Sequence, residues 1–208
     1  RPPHLELIDG ARMSRPAVQL TDRYDAAVAW ARELHAEQTR KGTTIPYLSH
    51  LLAVSARVLE DGGDEDQAIA GLLHDSIEDQ GVTADEIDAR FGPEVARIVV
   101  ACTDADTVPK PPWRERKEAY LRHLLDADEP ILRVCAADKL HNVRSLLRDV
   151  AEQGDEHWER FNAAPVEQAW YFSQLASIVG PGLDSPLGRE FVATAAQLVA
   201  VIERSGGF

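Results

Sequence analysis

The chain has 208 residues, a formal net charge of −13, and 44% hydrophobic and 27% charged residues. Such a composition fits one soluble globular domain able to bury a sizeable core. The negative excess disfavours duplex nucleic acid and anionic membrane as partners, since both are polyanions, and no apolar run is long enough to span a bilayer.

Residues 1–12 contain a Pro-Pro pair and show no periodicity. They are read as a leader outside the domain, either added sequence before a natural start at Met13 or a native extension. The domain is expected over 13–208, with a core of about 24–150 and a C-terminal helical hairpin of about 160–206. Asp22 is the expected N-cap of a helix running to His35. Thr39–Pro46 reads as a loop by composition, and Tyr47–Leu59 as a second helix stopped by Asp61-Gly62-Gly63. A third helix is expected from Glu65 to about Asp79, ended by Gly81. Thr83 to Glu86 is a capping box opening a short helix to Phe91, and Pro93 opens the next, to Cys102. After a loop over Asp104–Pro112, helices are expected over Trp113–Leu125, Pro130–Val150, Pro165–Val179 and Asp184–Arg204. No alternation of period two has useful length, so the predicted class is an all-α, single-domain helical bundle. Cys102 and Cys135 sit in apolar stretches and read as reduced core thiols, which predicts a cytoplasmic protein.

The chemistry concentrates in Gly71-Leu-Leu-His-Asp-Ser-Ile-Glu-Asp79. On one continuous helix His74 lies at 0°, Glu78 near 40°, Asp75 at about 100° and Asp79 near 140°. Ile69, Leu72, Leu73 and Ile77 fall on the opposite arc. Three crowded carboxylates repel one another unless a cation or raised pKa values relieve them. A metal site is the sharp reading, and a solvated amphipathic face the bland one. Completing ligands must come from elsewhere. His50 lies early in its helix. Asp138 follows the apolar run Ile131-Leu-Arg-Val-Cys-Ala-Ala, where a carboxylate is costly without a metal or cationic partner. Its bland reading is an ion pair with Arg144 or Arg148. Two imidazoles and two carboxylates suit Mn²⁺ or Fe²⁺, with Zn²⁺ an alternative, and leave coordination positions open for water and substrate.

The order His50…His74-Asp75…Asp138 resembles the signature of the HD-domain metal phosphohydrolases. More narrowly, the chain is similar to the hydrolase domains of the RelA/SpoT group and to small stand-alone alarmone hydrolases. The resemblance rests on Arg40-Lys41, Pro46-Tyr-Leu-Ser-His50, Leu72 to Asp79, Phe91-Gly-Pro-Glu-Val95, Thr103-Asp104 and Asp138-Lys-Leu-His-Asn142. It implies that His50, His74, Asp75 and Asp138 hold the metal, typically Mn²⁺, and that Glu78 and Asp79 position and deprotonate the attacking water. It implies that Arg40, Lys41 and Asn142 contact a phosphorylated nucleotide. The implied reaction removes the 3′-pyrophosphate of guanosine tetra- or pentaphosphate, giving GDP or GTP, with no synthetase domain attached. Leu51 departs from the proline often found after the first histidine. The cationic run Lys110-Pro-Pro-Trp-Arg-Glu-Arg-Lys117 is either a solvated helix start or, through Arg114, Arg116 or Lys117, a grip on distal phosphates.

Two other functions compete: a phosphohydrolase acting on another nucleotide, an adenine alarmone or a phosphorylated dinucleotide cofactor, and a metal-binding interaction protein without turnover. Trp170, Tyr171, Phe172 and Phe191 near the C-terminus either finish the core, as expected, or form a homodimer face.

Overall fold

The computed structural model describes residues 17–104, 109, 111–154, 158 and 163–205. The expected leader over residues 1–12 lies outside them. The described elements are α1 (Asp22–Leu34), α2 (Leu48–Glu60), α3 (Glu65–Leu73), α4 (Ser76–Gln80), α5 (Ala84–Phe91), α6 (Pro93–Cys102), α7 (Trp113–Leu124), α8 (Glu129–Gln153), α9 (Pro165–Gly182) and α10 (Pro186–Arg204). Among the described residues the only extended pairing is a single bridge between Thr39 and Pro46. The class is all-α, as the sequence predicts.

Local chemistry sets most boundaries. Thr21, not Asp22, caps α1, its hydroxyl accepting from the Arg23 amide at 3.2 Å; Asp22 instead sits in the first turn, where its charge complements the helix N-terminus. The capping box of α5 forms as read: Thr83 Oγ1 accepts from the Glu86 amide at 3.2 Å, and Glu86 Oε2 accepts from the Thr83 amide at 2.8 Å. Gly81 closes α4 in the left-handed region at φ 68°.

Helix α8 is the axis of the fold, packed against α2, α3, α6 and α10. That is why its N-terminal half is apolar almost all round: Ile131, Leu132, Val134, Cys135, Ala136, Ala137 and Leu140 are all buried. Arg133, within that run, is also buried and fully engaged. Its Nε donates to Asp61 Oδ2 at 3.0 Å, its Nη1 to Gln67 Oε1 at 2.7 Å, and its Nη2 to Glu129. Asp61 Oδ1 in turn accepts from the Leu187 amide at 2.9 Å, tying the start of α10 to the end of α2. The α9–α10 hairpin finishes the core: Tyr171, Phe172, Leu187, Phe191 and Leu198 are buried within this one chain. Cys102 and Cys135 are free, buried thiols.

One sequence expectation fails at an informative place. The third helix does not continue from Glu65 to Asp79; it ends at Leu73, and His74–Asp75 form a turn before α4. Side chains take the carbonyls that a continuous helix would use: His74 Nδ1 bonds the Gly71 carbonyl at 2.9 Å, and Ser76 Oγ the Leu73 carbonyl at 2.6 Å. The uniform 100° wheel therefore breaks inside the motif.

Candidate metal centre and cationic cleft

Three elements meet at the motif: α2 carries His50, the turn after α3 carries His74 and Asp75, and α8 carries Asp138. Gly71 makes the meeting possible, because a Cβ there would stand 3.2 Å from Ser55 Cα and 3.3 Å from its nitrogen. The backbones of α2 and α3 thus cross at close range, with His50 and His74 beyond the crossing. Their rings lie 5.1 Å apart.

Two imidazole nitrogens and two carboxylate oxygens converge. His74 Nε2 stands 3.0 Å from Asp75 Oδ2 and 3.6 Å from Asp138 Oδ1. His50 Nε2 stands 3.2 Å from Asp138 Oδ1 and 3.7 Å from Asp75 Oδ2. Both Nε2 atoms are buried and make no hydrogen bond. Buried polar atoms rarely go unpaired, and here the unpaired ones face two carboxylate oxygens. That donor set fits a divalent cation. The carboxylates are ionised: burial alone would raise Asp75, but the charge of His74 holds it below the usual range, and for Asp138 Lys139 and His74 outweigh burial in the same way.

Neighbours orient all four groups, as they do around bound metals. His74 Nδ1–H donates to the Gly71 carbonyl, which turns its Nε2 toward the cluster. His50 Nδ1 lies 2.8 Å from His141 Nδ1. With Nε2 of His50 ligating a cation, its hydrogen would sit on Nδ1 and His141 would accept it. Burial first, then His50 and Arg40, push His141 down to about 4, so it is neutral and able to accept. The Tyr47 hydroxyl donates to Asp75 Oδ2 at 2.6 Å, and Asn142 Nδ2 to Asp138 Oδ1 at 2.6 Å. Lys139 Nζ pairs with Asp138 Oδ2 at 2.6 Å, the role the bland reading gave to Arg144 or Arg148. Arg144 pairs instead with Glu190, and Arg148 with Asp149.

Glu78 and Asp79 follow on α4. Asp79 Oδ2 accepts from Gln38 Nε2 at 2.8 Å. Glu78 Oε1 lies 3.9 Å from Arg116 Nη1.

Beside the centre opens a cleft of about 470 Å³. Tyr47, Lys139, His141 and Asn142 belong both to its wall and to the shell around the cluster. Among the described residues Arg40, Lys41, Lys117, Lys139 and Arg148 line it, against a single carboxylate, Asp149. Trp113, Tyr171 and Phe172 form an aromatic side. Arg40 is already aimed: its Nη2 donates to Asn142 Oδ1 at 2.9 Å, and its guanidinium lies 5.7 Å from the centre of the Tyr47 ring.

Of the sequence-derived set, His50, His74, Asp75 and Asp138 come together, Arg40, Lys41, Lys117 and Asn142 line the adjacent cleft, and Glu78 and Asp79 lie on α4, not among the residues lining that cleft. Arg114 is not brought to the cleft. It bonds Glu118 and Glu167, both at 2.9 Å, and stacks on Trp170 on the surface. Sequence reasoning missed Tyr47, Lys139, His141 and Arg148. Tyr47, Lys139 and His141 each had a signal, since all three stand inside the quoted motifs, Lys139 directly beside the Asp138 it pairs with.

The HD-domain family matches residues 27–165. A guanosine-3′,5′-bis(diphosphate) 3′-pyrophosphohydrolase MESH1 of Xenopus tropicalis is 38% identical over 133 residues, 62% of this chain and 73% of that protein. Its human counterpart is 35% identical over 150 residues, 70% of this chain and 79% of that protein. An Aquifex aeolicus enzyme of the same name is 36% identical, but the match spans only 18% of it. Among solved structures, a Listeria monocytogenes protein matches with a TM-score of 0.66 at 28% identity, covering 73% of this chain and 99% of that one. A metazoan ortholog of SpoT that hydrolyses ppGpp matches with a TM-score of 0.67 over 92% of this chain and all of that one; at 22% identity this likeness speaks for the fold. On the match over residues 27–165, the chain belongs to the HD-domain family, and it is similar to the guanosine-3′,5′-bis(diphosphate) 3′-pyrophosphohydrolases over most of the length of the MESH1 proteins.

Proposed function

We propose that this chain is a metal-dependent hydrolase that removes the 3′-pyrophosphate of guanosine tetra- or pentaphosphate, giving GDP or GTP and pyrophosphate. One observation supports the reading: the cleft that opens beside the His50, His74, Asp75 and Asp138 cluster is lined, among the described residues, by five cations in a chain of net charge −13. Such a cleft concentrates field lines and suits a compact polyanion.

His50, His74, Asp75 and Asp138 would hold the cation, with manganese the proposed ion. When bound, a divalent ion supplies Lewis acidity toward a phosphoryl oxygen and lowers the pKa of a nearby water. The chain's own residues do the rest. Arg40, Lys41 and Asn142 bind the nucleotide, and Lys117 and Lys139 bind phosphate oxygens. Glu78 accepts the proton of the water that attacks the phosphorus bonded to the ribose 3′-oxygen. The bond from that phosphorus to the 3′-oxygen breaks, pyrophosphate leaves, and the ribose oxygen takes up a proton. Asp79, held by Gln38, keeps the water and Glu78 in register. The two free thiols accord with a reducing, cytoplasmic setting.

The test is to incubate purified protein with Mn²⁺ and a nucleotide panel and to resolve the products. Pyrophosphate and GDP released from guanosine tetraphosphate, abolished by His74→Ala, is the expected result. Orthophosphate released from other nucleotides, or no turnover at all, would overturn it.

A further inference from the structure

Arg116 and Lys117 are adjacent on α7, share the carboxylate of Asp104, and face different ways. Lys117 Nζ lies 2.7 Å from Asp104 Oδ2 and lines the cleft. Arg116 bonds the same oxygen through Nη1, is not among the residues lining the cleft, and turns that Nη1 toward Glu78 Oε1 at 3.9 Å. We propose that Arg116 is a positioning residue for Glu78, anchored by Asp104. The proposal rests on the reading of Glu78 as the proton acceptor.

The cluster is a poor choice for stability alone. The side chain of Asp104 is 7% exposed and that of Arg116 14%, yet among the described residues Asp104 Oδ1 and Arg116 Nε have no hydrogen-bond partner. Desolvating an ion pair is repaid only when its remaining polar atoms are satisfied. Incomplete pairing at the edge of an active centre is where function overrides local optimisation. The geometry also suits the task. A 3.9 Å separation is a charge contact without a hydrogen bond. It draws the Glu78 carboxylate to one side without a hydrogen bond from that Arg116 nitrogen. Asp104 takes part of the guanidinium charge and so keeps Arg116 from closing a tight, inert pair with Glu78. Three separate elements, the end of α6, α7 and α4, are locked in register by this contact.

Steady-state kinetics on guanosine tetraphosphate with Mn²⁺ tests the idea, with kcat scaled to folded protein by the stoichiometry of Mn²⁺ bound. Arg116→Ala is expected to lower kcat by about 10- to 100-fold while KM and Mn²⁺ affinity each stay within about threefold. Arg116→Lys is expected to recover most of the rate, and Asp104→Asn to reproduce part of the loss. In a Glu78→Gln background, itself slowed about 100-fold or more, Arg116→Ala should cost less than about twofold further. A raised KM with unchanged kcat would make Arg116 a phosphate ligand and overturn the proposal. So would a full, additive loss in the Glu78→Gln background. Full activity of Glu78→Gln would sink the proton-acceptor reading and the proposal with it. An inactive Glu78→Gln beside an unimpaired Arg116→Ala would sink the proposal alone.

Discussion

Gly71→Ala isolates the packing that assembles the centre. A Cβ at 71 would meet Ser55 Cα at 3.2 Å, Ser55 N at 3.3 Å and Val54 Cγ1 at 3.5 Å. The two closest atoms are backbone of α2, which cannot rotate away, so the helices must part by a few tenths of an ångström. Ser55 is fixed further by its hydrogen bonds to the Ala68 carbonyl at 2.9 Å and to Tyr24 at 2.8 Å. Overpacking of this kind costs about 1–3 kcal/mol, while alanine in a helix gains about 1 kcal/mol over glycine. The net is about 1 kcal/mol of destabilisation, which for a domain of this size lowers Tm by about 2–4 °C. The same displacement moves His50 relative to His74, so Mn²⁺ affinity should fall at least threefold (about 0.7 kcal/mol). Differential scanning calorimetry and isothermal titration of the metal read both quantities. An unchanged or higher Tm together with unchanged Mn²⁺ affinity would refute the claim that the α2–α3 crossing sets the ligand spacing.

Other consequences follow from single contacts. His141→Phe removes the acceptor that fixes the His50 ring and should weaken Mn²⁺ binding about 10- to 100-fold; His141→Asn, which keeps an acceptor, should lose less in the same titration. Arg114→Ala should leave kcat/KM within about twofold, since its partners are surface carboxylates and Trp170 outside the cleft. Burial raises the thiols of Cys102 and Cys135 above the ordinary cysteine value, so both remain protonated at pH 8. Alkylation of the native protein at that pH should be far slower than of the unfolded chain, where both react; mass spectrometry of a time course reads the difference.

Much of the fold was legible because local signals agreed with one another. Caps at Thr83 and Gly81, the proline at 93 and the apolar stretch of α8 gave element type and approximate bounds before any packing was known. The break at His74–Asp75 was not legible, because it arises from competition. His74 and Ser76 take carbonyls of α3, and a periodic wheel has no way to weigh a side-chain bond against a backbone one. The candidate ligands were singled out despite the wrong wheel, because their residue types were unusual enough. A histidine and an aspartate ending one apolar helix, and a lone aspartate inside another, demanded partners whatever their angles.

The cationic segment shows where sequence stops and packing begins. Arg114 and Arg116 stand about 200° apart on a helix, so they could not both face the cleft. Which one turned away depended on the face of α7 that packs against α9. That face was readable from spacing: Trp113, Lys117, Tyr120, Leu121 and Leu124 follow at i, i+4, i+7, i+8 and i+11. The last three are buried, so Lys117 is carried inward on the same stripe, and Trp113 with it. Arg114 and Glu118 share the outer face and pair there at 2.9 Å. Arg116 lies on the opposite flank of the inward stripe, about 100° from Lys117 and about 200° from Arg114. From there it reaches Asp104 and Glu78 but not the cleft itself. Charge count alone would have put all three cations on phosphate. Helix geometry divides them into a cleft lysine, a surface pair and a guanidinium held beside a carboxylate.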